Sequence, residues 1–592
     1  MLNIVPTVPT PQVTTTQIVM PIFPTTPKFP LVPTTTTTTL FPTAASPAVV
    51  LPKVPASPIV PTTLNAQNLF PQGNTVVMPT INMIPIPQPV PMKVEVKELE
   101  LRPWQIDWAH KAHGILLRNH GYIDTSKMRS GKTYVTLWIA KQFNFRILVV
   151  CPVTASDVWR STAAEYGVEC LDVISYQSLR SQKGHQPKHG FLHRFDNQTD
   201  GGVHQVSFVP TNEYAQLADQ GIMVIFDEIH NIKNNSDQYK ACNALIQPIV
   251  TGGGRSRFAL LSGTPFDKEE HAVNLLKLIG YIRSSRLYHI NLETRELVLD
   301  GMQELIDACN FIDSNATERV LADIPMVKSK MKHLCYVLYT DVIKASISGA
   351  MPSPTDITGT YDVKNGFYAI SANKVGDLNA AITDLAAAVN YNERNGTAEI
   401  KADNIGDVTK ALVRIENAKV FDFARVATSE LSNNPKSKVV ICFNYTSSIT
   451  EIIPFLIMYN PLILNGSIPA KKRTPIINAF VNDPARRVLI MNTAVGGVGI
   501  SLYSTKPESP VTMLMSPSYK MLEITQAAAR IYGPGMASAA TVRMFYGRGA
   551  GNSETGILSA MARKSQVLKG TLDETVAGDL VLPGDYETVM EA

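Results

Sequence analysis

The sequence predicts an α/β protein in which two parallel-sheet lobes stand in tandem behind an extended Pro/Thr-rich tail, and three observations carry that expectation. Apolar runs of strand length recur at Arg146–Cys151, Leu171–Ser175, Ile222–Glu228 and Phe258–Ser262, with intervals long enough for crossover helices, as a doubly wound parallel sheet requires. A second series repeats the pattern at Lys438–Phe443, Pro461–Leu464, Arg487–Asn492, Thr512–Met515 and Thr541–Tyr546. Ahead of both, residues 1 to 92 hold half of the chain's 40 prolines, and Lys28 and Lys53 are the only charges there.

That first stretch, taken as a tail over 1–93, cannot pack as a domain. Its prolines interrupt helix and ladder hydrogen bonding, and the six threonines Thr34 to Thr39 add low complexity, so an extended, polyproline-like state is expected. Val, Ile, Leu, Met and Phe recur between the prolines with almost no charge to solvate them. Two readings stand: a strap that docks on a protein partner with little ordering entropy to lose, or a disordered spacer.

Length and composition bound the rest. The 592 residues accommodate about three to four domains. A formal charge of +4 is too small for a strong overall field, so any nucleic-acid binding must come from local patches. Six scattered cysteines form neither a Cys-x-x-Cys pair nor a Cys/His cluster at zinc spacing, which argues for a reducing interior and against structural zinc. No apolar run approaches the roughly 18 residues of a bilayer span, and no membrane partner is expected. An intracellular protein, or one packaged inside a particle, is the expectation.

The first lobe is expected over 94–282. Leu101-Arg102-Pro103-Trp104-Gln105 opens a helical pattern in which Gln105 either reads an adenine edge or caps the helix. Ser126-Lys127-Met128-Arg129-Ser130-Gly131-Lys132-Thr133 then carries the Gly-Lys-Thr end of a phosphate loop and leads into a helical stretch from Tyr134 to Gln142. A loop feeding a helix N-terminus aims backbone N–H groups of Ser130 and Gly131 at phosphates, Lys132 adds a point charge, and Thr133 offers an oxygen to Mg²⁺. Ser126 stands where the first glycine of the motif is usual, so the formal pattern fails.

About 95 residues on, Met223-Val224-Ile225-Phe226 runs straight into Asp227-Glu228. A buried parallel strand delivers acids in this way to the carboxyl edge of a sheet, where Asp227 can bind a nucleotide's Mg²⁺ and Glu228 can orient the attacking water; a solvated acidic turn is the plainer alternative. Cys151-Pro152-Val153-Thr154, Ser175 to Arg180 and Ser262-Gly263-Thr264-Pro265 end the other runs on the same edge, and this convergence favours the metal site.

The ordered series resembles superfamily 2 helicases and translocases, specifically their Swi/Snf-like branch. Val149-Val150-Cys151-Pro152 with Trp159, Ile174-Ser175-Tyr176 with Leu179-Arg180, Asp227-Glu228-Ile229-His230-Asn231-Ile232-Lys233-Asn234 and Leu260-Leu261-Ser262-Gly263-Thr264-Pro265 look like that branch's elements in order. The resemblance implies two RecA-like lobes, with Lys132 and Thr133 on phosphate and Mg²⁺, Asp227 on the metal, Glu228 on the hydrolytic water and Gln105 on adenine. It also implies that Thr154, Arg180 and Thr264 face nucleic acid. One position departs: the family usually has glycine at Arg129, so the loop backbone is shaped differently or Arg129 faces phosphate or solvent.

Residues 283–436 read as a helical connector with a turn-rich insertion at Met351–Asn373, and Lys328, Lys330 and Lys332 form either a solvated face or a phosphate contact. The second lobe is expected over 437–550, followed by a helical brace and tail at 551–592. Leu464-Asn465-Gly466-Ser467, Asn492-Thr493-Ala494-Val495-Gly496-Gly497-Val498-Gly499 and Gln526-Ala527-Ala528-Ala529-Arg530-Ile531-Tyr532-Gly533 continue the resemblance. It implies that Gly466, Thr493, Gly496 and Gly497 meet nucleic acid, that Gly499 faces the nucleotide and that Arg530 is catalytic. Glycines allow close backbone approach to phosphate. The second arginine usual in the last element falls on Gly533; an arginine finger is worth about 10³–10⁵ in rate, and Arg530, Arg543, Arg548 or a partner's arginine would have to serve.

The resemblance therefore implies an ATP- and Mg²⁺-dependent motor on nucleic acid, duplex DNA before RNA, akin to proteins of chromatin remodelling and of large DNA viruses. A nuclear site follows, or host cytoplasm or virion interior for a viral protein, toward which the compact motor and its loop point. The departures at Ser126, Arg129 and Gly533 motivate the rival, a weakened helicase-like NTPase acting as a structural or cofactor subunit of a transcription or packaging complex.

Overall fold

The computed structural model describes residues 96–180, 189–198, 204–252, 254–392, 397–400, 405–496, 500–548, 552–572 and 587–590. The chain divides into two units, Met1–Pro89 and Val90–Ala592, and both large sheets belong to the second. Both expectations for the tail lie outside the described residues.

The first sheet holds β1 (Gly121–Asp124), β2 (Arg146–Cys151), β3 (Cys170–Ser175), β4 (Ile222–Asp227), β5 (Arg257–Leu261) and β6 (Ser348–Gly349), in the order β6-β1-β5-β4-β2-β3 with every pair parallel. Its strands are continuous apolar runs because helices cover both faces: Ile222 to Phe226 are fully buried. One strand, β5, lies between the phosphate-loop strand β1 and the acidic strand β4. The four apolar runs of the first half all appear as strands within a residue of their expected bounds. β1 escapes that reading because it is four residues long and bracketed by Gly and Asp. Gly121 is required there, since a Cβ would lie 2.2 Å from the Phe258 ring.

The second sheet holds β7 (Tyr361–Ala369), β8 (Lys438–Phe443), β9 (Leu462–Leu464), β10 (Val488–Asn492), β11 (Val511–Met515), β12 (Ala540–Arg548) and β13 (Glu587–Met590), in the order β9-β10-β8-β11-β12-β7-β13, again all parallel. Two tandem parallel-sheet lobes of the RecA-like kind are therefore present.

The connector expectation needs correction. Residues 283–436 are not a separate piece but are divided between the lobes. Helices Gly301–Asp323 and Met331–Leu338 pack into the first core and lead to β6, whereas β7 and the helices Ala372–Ala388, Ile405–Ala418 and Val420–Asn433 build the second. Each amphipathic helix buries its apolar face on the nearer sheet. The stretch read as a turn-rich insertion contains β7, an interior strand. Its Asn365-Gly366 pair suggests a turn, but Gly366 instead makes room for the ring of Tyr368, 2.4 Å from where a Cβ would stand. Beyond the helix Asn552–Thr571, the C-terminal tail adds β13 at the edge of the same sheet. No helix among the described residues is long and apolar enough to cross a membrane.

Two glycine substitutions test this packing by chemical denaturation. Gly366→Ala should destabilise by about 1–3 kcal/mol through overpacking against Tyr368, whose ring stacks on Phe545 at 3.9 Å. Gly376→Ala, in an exposed helix interior with open space around it, should stabilise by about 0.5–1 kcal/mol.

Candidate active site

Because neighbouring strands are parallel, the loops after β1, β2, β3, β4 and β5 leave one edge of the first sheet. The loop after β1 enters the helix Lys132–Gln142 through two left-handed residues, Arg129 (φ 65°) and Gly131 (φ 94°). Ser126 replaces the usual glycine without strain. Its N–H donates to Asp124 Oδ1 at 2.8 Å, and its hydroxyl accepts from the Met351 N–H at 2.8 Å, so the start of the loop is pinned. Lys132 folds back over the loop and donates to the carbonyls of Ser126 (3.0 Å) and Lys127 (3.2 Å). A phosphate oxygen would exchange with neutral acceptors there.

At the end of β4, the Trp159 indole N–H donates to Asp227 Oδ2 at 2.9 Å, and the Tyr176 hydroxyl donates to the Asp227 carbonyl at 2.8 Å. Asp227 is thereby fixed in orientation. Glu228 sits in the left-handed region (φ 60°, ψ 60°), a conformation that costs a non-glycine residue about 1–3 kcal/mol and is typical of functional positions. Its Oε2 lies 3.3 Å from His230 Nδ1 and accepts from the Ser262 hydroxyl at 3.4 Å. From the second lobe, Gln526 Nε2 donates to His230 Nε2 at 3.1 Å and reaches Thr264 Oγ1 at 3.5 Å. A hydrogen-bonded chain thus joins the acid pair to the opposite lobe.

These groups surround a cavity of about 520 Å³, walled by Lys132, Thr133, Thr154, Asp227, Glu228 and, from the second lobe, Gln526 and Arg530. Burial pushes the Asp227 carboxyl up, and the adjoining Glu228 charge adds to this. Burial also acts upward on Glu228, but the hydrogen bond and charge of His230, with Lys132 and Arg530, outweigh it and hold that carboxyl down. Burial lowers Arg530 to about 10 against the opposing pull of Glu228. Two adjacent half-buried carboxylates facing a polar cavity suit a divalent cation, which would relieve their mutual repulsion. Thr133 and Asp227 both line the cavity.

The expected residues divide accordingly. Lys132, Thr133, Gly131, Asp227, Glu228 and Arg530 meet at the cavity. The Ser130 hydroxyl donates to the Lys127 carbonyl at 2.8 Å and so shapes the loop instead. Gln105 is buried: its oxygen accepts from the Arg102 N–H at 2.9 Å, capping the helix Pro103–Arg118, and its Nε2 donates to the Ser130 carbonyl at 3.1 Å. It is absent from the cavity wall, so capping is the role seen. Three of the residues expected to face nucleic acid lie at the cavity, in the seam or in the second lobe's interior. Thr154 lines the nucleotide-sized cavity; Thr264 is buried in the seam beside Gln526; and Thr493 is buried, donating to the Phe443 carbonyl at 3.3 Å. Short hydroxyl side chains at strand ends are drawn into these polar contacts. Arg180 and Gly466 are exposed, and Gly496 ends the short helix Thr493–Gly496. Gly497 and Gly499 lie outside the described residues.

Arg129 stands at the wall of this cavity, and its guanidinium reaches across into the second lobe. Of the proposed substitutes for the missing arginine, Arg530 lines the cavity, while Arg543 is paired with Glu430 at 3.2 Å and the Arg548 side chain lies outside the described residues. Sequence reasoning gave no role to Trp159, Tyr176, His230 or Gln526, although each stands inside a motif it quoted; their places there were the available signal.

No family model matches the chain. Among curated proteins, it is 28% identical over 149 residues to a protein of Acanthamoeba polyphaga mimivirus provisionally named an ATP-dependent RNA helicase, covering 24% of this chain and 26% of that one. It is 27% identical over 135 residues to the DNA repair protein RAD5 of Gibberella zeae (22% and 11%) and over 146 residues to the DNA repair and recombination protein RDH54 of Saccharomyces cerevisiae (24% and 15%). Over these stretches the chain is similar to a helicase-named protein and to DNA repair proteins, and it spans about a quarter or less of these relatives' length. Solved structures of the Sulfolobus solfataricus SWI2/SNF2 ATPase core align at 15% identity with dsDNA bound (80% of this chain, 97% of that one, TM-score 0.27) and at 16% without it (78%, 88%, 0.28). At such TM-scores the fold assignment rests on the strand order above.

Trp159→Phe tests the support of Asp227. It keeps the aromatic packing and deletes the N–H, and it should raise the Mg²⁺ concentration needed for half-maximal nucleotide binding by about 10- to 100-fold, with little change in thermal midpoint.

Proposed function

We propose that the protein is an ATP-dependent nucleic-acid motor whose lobes close on Mg²⁺·ATP and reopen after hydrolysis, moving along a phosphate backbone. The observation that carries this reading is one cavity walled by the phosphate-loop Lys132 and Thr133, the acid pair Asp227–Glu228 and, from the opposite lobe, Arg530. Lys132 would bind the terminal phosphates, and Glu228, kept ionised by its cationic neighbours, would hold the attacking water. Arg530 would offer positive charge from across the seam. Mg²⁺, held by Thr133 and Asp227, would neutralise phosphate charge. Because hydrolysis needs groups from both lobes, a change in lobe spacing is coupled to chemistry.

Relatives named for RNA and for DNA leave the polymer open; we favour duplex DNA, which the branch usually moves without unwinding. A viral setting is consistent with the mimivirus relative. A second reading has a specific observation behind it: with Gly533 in place of an arginine, hydrolysis would be weak and the protein would serve as a nucleotide-dependent structural subunit.

ATP hydrolysis measured with and without duplex DNA or RNA separates the two. Stimulation by nucleic acid, lost by about 10²-fold or more in Lys132→Ala and in Glu228→Gln, supports the motor. Background hydrolysis with every polymer, despite ATP binding, excludes it and supports the structural subunit.

A further inference from the structure

The Arg129 side chain, in the phosphate loop, makes its hydrogen bonds in the opposite lobe. Its backbone takes the left-handed conformation (φ 65°) that glycine adopts freely. From there the guanidinium crosses the seam. Nη1 donates to the Arg530 carbonyl at 3.1 Å and to the Tyr532 carbonyl, Nη2 donates to the Ile500 carbonyl, and the guanidinium carbon stands 5.3 Å from the centroid of the Tyr503 ring. The planar fork suits this, since its several donors in fixed directions can engage separate carbonyls at once.

The receiving surface depends on Gly533. A Cβ at that position would lie 2.7 Å from Tyr503 Cε1 and 3.0 Å from both Cδ and Nη1 of Arg129. Any side chain there would compete with the guanidinium for the same space. The departures from the family pattern at 129 and 533 are therefore one structural feature, a side chain gained on one lobe and lost on the other where the two meet.

Its partners explain what this contact can do. The Arg530 carbonyl accepts from the Leu502 N–H at 2.8 Å as well as from Arg129, and the Arg530 side chain lines the nucleotide cavity. Fixing the carbonyls of residues 530 and 532 fixes the turn from which that side chain projects. We propose that Arg129 is a positioning residue that couples the phosphate loop to Arg530, holding the latter's backbone so that its side chain enters the cavity when the lobes are closed. The contact brings two guanidinium groups together; burial, with the Arg530 charge, lowers Arg129 to about 9, so at neutral pH it remains a cation surrounded by carbonyl dipoles.

The proposal rests on the ATP-site reading, and its test keeps the two apart. In steady-state hydrolysis, Arg129→Ala should lower kcat by about 10- to 100-fold while KM for ATP stays within about threefold, because Lys132 and Thr133 still bind phosphate. Arg129→Lys, which keeps charge but loses the fork, should not rescue it. Gly533→Ala should reproduce the loss, and adding it to Arg129→Ala should cost less than the two separate effects combined, since both break the same contact. Thermal midpoints guard against misfolding. Hydrogen exchange over residues 529–537 reads the contact without turnover: Arg129→Ala should accelerate it in the nucleotide-free protein. Unchanged kcat and unchanged exchange would overturn the proposal. If wild-type hydrolysis is absent, the ATP-motor reading fails alone, and exchange still decides whether Arg129 holds the Arg530 segment.

Discussion

Parallel strand direction is the constraint on which this molecule depends. With six strands parallel in one sheet and seven in the other, the strand-end loops of each lobe leave one edge, and chemically active side chains collect there without any long-range sequence pairing. The phosphate loop follows β1, the acid pair ends β4, Trp159 follows β2, and Ser262 and Thr264 follow β5. Interposing β5 between β1 and β4 spaces Lys132 from Asp227 widely enough to leave a cavity between them.

The site is held by second contacts as much as by its reacting groups. Trp159 and Tyr176 fix Asp227, and His230 and Ser262 hold one oxygen of Glu228. These bonds replace water around half-buried carboxylates, whose desolvation would otherwise be costly. They also separate the two acids electrostatically: Asp227 is raised and suited to receive a metal, while Glu228, beside His230, Lys132 and Arg530, is kept ionised. The contacts across the seam, Gln526 on His230 and Arg129 on the carbonyls of 530 and 532, make the geometry of one lobe depend on the other.

Much of this was legible in the sequence because burial on both faces of a parallel sheet writes a plain signal: Lys438–Phe443 and Arg146–Cys151 are strands with the bounds their apolar runs suggest. β7 was hidden because Asn365-Gly366 carries turn chemistry, and its tertiary use, admitting the Tyr368 ring, cannot be read locally. Lys132 and Glu228, picked by type and spacing, line one cavity. What lies opposite a residue in space is not written beside it in the chain. Thr264 and Thr493 proved buried, Gln105 caps a helix, and Arg129 meets residues some 400 positions away.

The central claim is that one nucleotide is gripped by both lobes at this seam. A structure of the complex with Mg²⁺, ADP and aluminium fluoride tests it directly. The expected result is that the fluoride, in the place of the transferring phosphoryl group, contacts Lys132 from the first lobe and Arg530 from the second. A fluoride bound by the first lobe alone, with Arg530 directed elsewhere, would contradict it.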